Sequence, residues 1–106
     1  MRRAAKADTT SPEIVKALRS AGITVEPRLA RVGGGVPDLL AGFRGHNVLL
    51  EVKTGIRDCD RKLTQDETSW HETWGGQVAV VSTTDEAIDE VLRAAGLLAL
   101  AGRDKA

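Results

Sequence analysis

Asp38, Glu51 and Lys53 are the residues of this sequence whose types and spacing could do chemistry together. Two β-prone runs, Asp38–Phe43 and His46–Lys53, flank Arg44-Gly45, a dipeptide suited to a tight hairpin turn. With the turn centred there, Phe43 faces His46, Ala41 faces Val48, Leu39 faces Leu50, and Asp38 falls directly across from Glu51. Opposed residues have Cβ atoms about 5 Å apart, and two like charges at that separation destabilise a sheet. Lys53, two residues past Glu51, projects from the same face. Leu40 and Leu49 share that face, while Leu39, Leu50, Val48 and Val52 line the other, so the hairpin reads as a central pair of strands covered on both sides. A carboxylate pair at the end of a buried hairpin costs stability unless it is neutralised. A hard divalent cation does so, because Mg²⁺ takes one or two carboxylates, waters and the phosphate oxygens of a substrate. The Lys53 ammonium could then orient or help deprotonate an attacking water and offset transition-state charge. The same three residues also fit a structural network in which Lys53 bridges the two acids. Gly33-Gly34-Gly35, just upstream, favours chemistry, because glycines let a phosphate backbone approach closely.

The elements that must position these residues can be read along the chain. Residues 1–9 read as a frayed basic arm, and residues 10–106 as a single domain. Thr10-Ser11-Pro12-Glu13 reads as a helix start, either a capping box from Thr10 to Glu13 or Ser11 as N-cap with Pro12 at the first helical position. Ile14, Val15 and Leu18 follow at helical spacing, and Gly22 ends the helix. Ile23 to Arg31 is a strand or an extended segment interrupted by Pro27, and Pro37 suits the first residue of the next strand. After the hairpin comes a charged loop, 54–62, then a helix capped by Thr64 that runs to about Trp74. Gln77–Ser82 forms a short apolar strand, and a last helix opens at Thr83-Thr84-Asp85-Glu86 with Ala87, Ile88, Val91 and Leu92 on one face. The order α-β-β-β-α-β-α is that of an α/β domain with a mixed central sheet.

Bulk properties narrow the function classes. A chain of 106 residues has room for one domain with a two- or three-layer core. Aromatic residues make up only 3% of it, which disfavours a single-strand binder that stacks bases on aromatic rings. No apolar run approaches the ~20 residues of a membrane span, and no apolar stretch follows Arg2, Arg3 and Lys6 as a secretory signal would require. Cys59 is the single cysteine, which excludes an internal disulfide and a cysteine-based zinc site and fits a reducing, cytoplasmic setting. Net charge is zero, yet residues 1–62 hold twelve Lys and Arg against seven Asp and Glu, and residues 63–106 hold three against eight. Such asymmetry fits a polyanion on one face, with an ordinary mixed surface as its other reading.

Other candidates are weaker. The triple glycine is no Walker A loop, since no Gly-Lys-Ser/Thr follows. His46 and His71 lack metal-ligand spacing and read as surface or loop residues. Trp70 and Trp74, one helical turn apart, read as a core-packing stripe in preference to a base-stacking pair. Arg57, Arg61 and Lys62 could grip phosphates from the 54–62 loop, beside Gly34 and Gly35.

The order and spacing of Gly35-Val36-Pro37-Asp38 and Glu51-Val52-Lys53 resemble the PD-(D/E)XK nuclease signature. More narrowly, Pro37-Asp38-Leu39-Leu40, Glu51-Val52-Lys53-Thr54-Gly55, Leu63-Thr64 and the Trp70-to-Val81 segment resemble a stand-alone VRR-NUC domain of the kind found in phages and bacteria. The likeness spans roughly residues 8–92. It implies a restriction-endonuclease-like α/β/α fold and a DNA endonuclease dependent on Mg²⁺ or Mn²⁺. It further implies branched DNA as substrate, metal ligation by Asp38, Glu51 and the Val52 carbonyl, and assistance from Lys53. A phage-encoded enzyme of this kind would act in the host cytoplasm. In such domains a glutamate of the first helix often reaches the site, and Glu13 matches that position, with helix capping as its other reading. The family usually carries a glutamine four or five residues after the Leu of Leu-Thr. This chain has Glu67 and Thr68 there, with Gln65 earlier, and that departure leaves a second reading open, a catalytically idle DNA-binding module. A domain this small cannot enclose a junction alone, so a homodimer is expected, with the apolar tail Leu97–Ala101 as one candidate contact.

Overall fold

Arg44 and Gly45 both take positive φ, 51° and 85°, in the computed structural model. Two successive residues in that region form the turn that matches the right-handed twist of a hairpin. Strands β2 (Leu39–Phe43) and β3 (His46–Val52) therefore fold back antiparallel in the expected register, with Leu39 opposite Leu50, Ala41 opposite Val48 and Phe43 opposite His46. The structure describes residues 2–55 and 57–98, and side chains from Ser11 onward with Asp58 excepted. Arg2, Arg3 and Lys6 and most of the tail Leu97–Ala101 thus lie outside the described side chains.

Outside the hairpin, β1 (Thr24–Glu26) pairs antiparallel with β2, and β4 (Val78–Val81) pairs parallel with β3. The result is a four-stranded mixed sheet in the order β1-β2-β3-β4, with the site's two strands at its centre. Helices α1 (Arg2–Ser20) and α3 (Thr84–Ala94) pack on one face. Ile14, Val15 and Leu18 from α1 and Ala87 and Val91 from α3 bury against Val25, Leu39, Ala41, Val48, Leu50 and Val81. The alternation of the strands places Leu40, Leu49 and Glu51 on the other face. Helix α2 (Gln65–Thr73) is tied to the end of β3 by an ion pair between Lys53 and Glu67. Among the described residues no helix is long and apolar enough to cross a membrane.

Three local expectations change. Helix α1 begins at Arg2 rather than near Thr10 and passes through Pro12, so residues 2–9 of the expected arm are helical in their backbone. Ala4, Ala5 and Lys6 are strong helix formers and the fixed φ of proline is itself helical, which favours continuation, although Pro12 removes one backbone hydrogen bond and its ring crowds the carbonyl four residues back. The segment after β1 is not extended to Arg31. Past Pro27 it winds into a 3-10 turn, Arg28–Arg31, clasped at its start by Glu26, whose carboxylate accepts from the Arg28 backbone and guanidinium. Finally, α2 buries none of its residues. Trp70 and Trp74 do not enter the core; they stack on each other, centroids 4.7 Å apart, and Trp74 is 44% exposed.

Candidate active site

The register of β2 and β3 carries Asp38 opposite Glu51 one residue beyond the last paired position. Asp38 closes that gap itself, because the Val52 N–H donates to its Oδ2 at 2.8 Å. One carboxylate oxygen is thus engaged by the backbone of the neighbouring strand, which fixes the acid against β3. Glu51 is only 3% exposed, and its Oε1 is buried with no hydrogen-bond partner. Burial pushes its carboxyl up to about 9, reinforced by the negative charges of Asp38 and Glu67 and opposed by Lys53. A buried acceptor without a donor is costly, and a buried anion beside another anion more so.

Lys53 does not bridge the two acids. Its Nζ pairs with Glu67 Oε1 at 2.7 Å, and both side chains are less than one fifth exposed. The same Glu67 oxygen accepts from the Thr64 N–H at 2.8 Å, while Thr64 Oγ1 accepts from the Glu67 N–H at 3.1 Å. This reciprocal capping box starts α2 and fixes it relative to the end of β3. Burial alone would raise the Glu67 carboxyl, but the hydrogen bonds from Lys53 and Thr64 win and hold it below its ordinary value. Glu67 is the residue that the sequence left in doubt. Its signal was there, in Thr64-x-x-Glu67 as a capping box. Gln65 and Thr68 are exposed.

The remaining candidates distribute unevenly. Asp38, Glu51 and Val52 line one open cleft of about 910 Å³. Glu13 does not line it; it is exposed inside α1, not in a first turn. Gly34 faces open space, but Gly35, at φ 90°, is pressed against α2, and a Cβ there would collide with the Asp66 carbonyl oxygen. The close approach its glycine permits is therefore to its own chain. Arg57 is engaged by Asp60 at 3.0 and 3.2 Å, and Arg61 by Glu86 at 2.5 Å, whereas Lys62 is exposed. His46 is exposed, as expected. His71 is not a loop residue. It lies on α2, one turn past Glu67, with a buried Nε2 that lacks a partner, and burial holds its imidazole below the ordinary value. Lys16 and Arg19 also line the cleft, unremarked by sequence reasoning although their i, i+3 spacing puts them on one helix face.

The donor set can be weighed against a hard cation. Among the described residues no three His, Cys, Asp or Glu side chains converge as ligands. An ion here would rest on two carboxylates and backbone oxygen, the sparse protein shell that Mg²⁺ accepts when waters and substrate complete it. The orphaned Glu51 Oε1 beside Asp38 fits that role. No protein-family model matches the chain, and no curated protein matches it by sequence. Among solved structures it is similar to one described as a VRR_NUC domain, with 24% sequence identity over 78% of this chain and 90% of that one, at a TM-score of 0.62. The chain therefore has the restriction-endonuclease-like fold of a VRR_NUC domain.

Proposed function

We propose that the protein is a nuclease that hydrolyses phosphodiester bonds of DNA with the help of Mg²⁺ or Mn²⁺. The observation that carries this reading is the buried, unpartnered Oε1 of Glu51 set beside Asp38 at the floor of an open cleft. Such an arrangement is costly as a structural device and useful as half of a cation site. Asp38, Glu51 and the Val52 carbonyl would hold the ion, which when bound polarises a phosphoryl oxygen and makes the attacking water more acidic. The chain's own residues do the rest. The backbone bond from Val52 to Asp38 fixes the spacing of the acids. The Lys53 ammonium, oriented by Glu67, stands at the end of β3 beside the acids, where it would face the phosphate oxygens.

Branched DNA as the preferred substrate and a homodimer as the working form belong to the same proposal. The neighbour's fold and its description as a VRR_NUC domain support the chemistry rather than the substrate shape. One observation favours a rival. Glu67 stands where such domains usually carry glutamine and neutralises Lys53, as an idle DNA-binding module could tolerate. Incubation with linear, nicked, flapped and four-way DNA, with and without Mn²⁺, separates the two. Mn²⁺-dependent cleavage lost in Asp38→Asn is the expected result; binding without cleavage of any of the four would favour the idle module.

A further inference from the structure

The cleft that ends at Asp38 and Glu51 is larger than the acid pair needs, and its walls have a chemistry of their own. One wall is α1, where helical spacing lines up Pro12 and Val15 along the cleft with Lys16 and Arg19 beside them. Pro27 and Ala30, on either side of the start of the 3-10 turn, line the same cleft, as do Leu39 and Val52, each next in sequence to one of the acids. The lining is thus an apolar strip with a basic edge that leads to the two carboxylates. Lys16 is exposed and makes no ion pair among the described residues. Arg19 donates one hydrogen bond to the Val25 carbonyl, at 3.3 Å, which steadies the guanidinium while leaving other donors available.

A continuous duplex presents phosphates and sugars to such a surface and keeps its bases stacked inside. It would gain from Lys16 and Arg19 but leave the apolar strip wet. An unpaired nucleotide carries both parts, a phosphate for the basic edge and an apolar base face for the strip. A volume of about 910 Å³ lies within the range of small-ligand clefts, about 300–1,000 Å³. No aromatic ring lines it, so a base would rest on aliphatic side chains and not stack on rings as in the usual single-strand binders. We propose that this cleft seats unpaired nucleotides adjoining the cleaved phosphate, with Lys16 and Arg19 on their phosphates and the base faces against Pro12, Val15, Pro27 and Ala30. This rests on the nuclease reading and narrows it to DNA with a single-stranded arm or end.

Binding is measured in EDTA, so cleavage plays no part, by fluorescence anisotropy of the full chain with a single-stranded oligonucleotide, a blunt duplex and a flapped duplex. Lys16→Ala/Arg19→Ala should lower the slope of log K against log [salt] by about 1.4 on the single strand, about 0.7 for each phosphate no longer neutralised. Arg44→Ala, at the far tip of the hairpin, should leave that slope unchanged. Ala30→Glu, at an exposed position, should weaken single-strand and flap binding about tenfold and blunt-duplex binding less than twofold. The proposal is overturned if Arg44→Ala costs as much per charge as the cleft variants, if Ala30→Glu weakens all three DNAs alike, or if the wild type binds none of them. Mn²⁺-dependent cleavage by the wild type is read separately. Its absence would remove the nuclease reading while the binding pattern still decides what the cleft holds.

Discussion

Lys53 and Glu67 are joined at 2.7 Å across fourteen residues of chain, and the oxygen that holds the ammonium also accepts the Thr64 N–H. One carboxylate therefore serves two elements. It neutralises the lysine at the end of β3 and completes the cap of α2. Glu67→Gln keeps an acceptor for Thr64 and removes only the charge, whereas Glu67→Ala removes both. Loss of a helix cap typically costs about 1 kcal/mol, and in a domain of this size that corresponds to a melting point lower by about 4–8 °C. Glu67→Ala should show at least that drop together with a loss of cleavage of more than about tenfold. Glu67→Gln should melt near the wild type and cleave at least as fast. Equal behaviour of the two variants would mean that the ion pair, which both remove, matters and the cap does not.

Lys53 itself is the sharper probe of catalysis. Lys53→Ala should abolish cleavage and leave DNA affinity in EDTA within several-fold, because one charge contributes little to binding that spans many phosphates. Wild-type cleavage by this variant would reduce Lys53 to a structural partner of Glu67.

The metal-free protein should carry a pH signature from Glu51. Its carboxyl is pushed up to about 9 from an ordinary 4.5, so the folded state keeps a proton that the unfolded chain releases. Stability from this group is complete below the unfolded value and declines as pH rises from there toward about 9. Cation binding needs the ionised form, so Mn²⁺ affinity should rise by about tenfold per pH unit over the same window. Melting temperatures across that range, with and without Mn²⁺, test both signs. Glu51→Gln should flatten the metal-free profile, and Asp38→Asn should remove most of the rise that Mn²⁺ gives by mass action. A flat wild-type profile would show that Glu51 is already ionised.

The 54–62 loop should matter less to DNA than its charge suggests. Arg57 and Arg61 are held by Asp60 and Glu86, and Lys62 alone is exposed without an ion pair among the described residues. Replacing all three with alanine should lower the duplex salt slope by about 0.9, the value for one phosphate, rather than by the full set. Arg61→Ala alone should lower the melting temperature, since it leaves Glu86, near the start of α3, with the Ser82 N–H and without its guanidinium. A slope change three times as large would place this loop on the DNA.

The hairpin and its acid pair were legible because every cue was local. Turn chemistry at Arg44-Gly45 fixes the register, and alternation then dictates which residues share a face. Glu51 could be expected to be buried because apolar strand residues flank it. Glu67 was only half legible. Its capping pattern is local, but its bond to Lys53 depends on how the connection after β3, which includes a 3-10 turn over Asp58–Arg61, brings α2 back to the end of the sheet. Trp70 and Trp74 misled because i, i+4 aromatics satisfy a core pattern equally well when they satisfy each other. The arm misled in the opposite direction: a proline ordinarily marks a helix start, yet α1 runs through it.

Gly35, just upstream of Asp38, presses its backbone on that of Asp66, the residue before Glu67. The two halves of the site, Asp38 on one side and Lys53 with Glu67 on the other, are thus gauged against each other by a contact that contains no side chain. The Asp66 side chain takes no part in that contact, since only main-chain atoms of residues 66 and 67 meet position 35. Position 35 bears on it together with the Lys53–Glu67 pair, and its tolerance is narrower than a methyl group: an alanine there, already strained at φ 90°, would act as a shim, spreading the jaw of the site without touching any residue that does its chemistry.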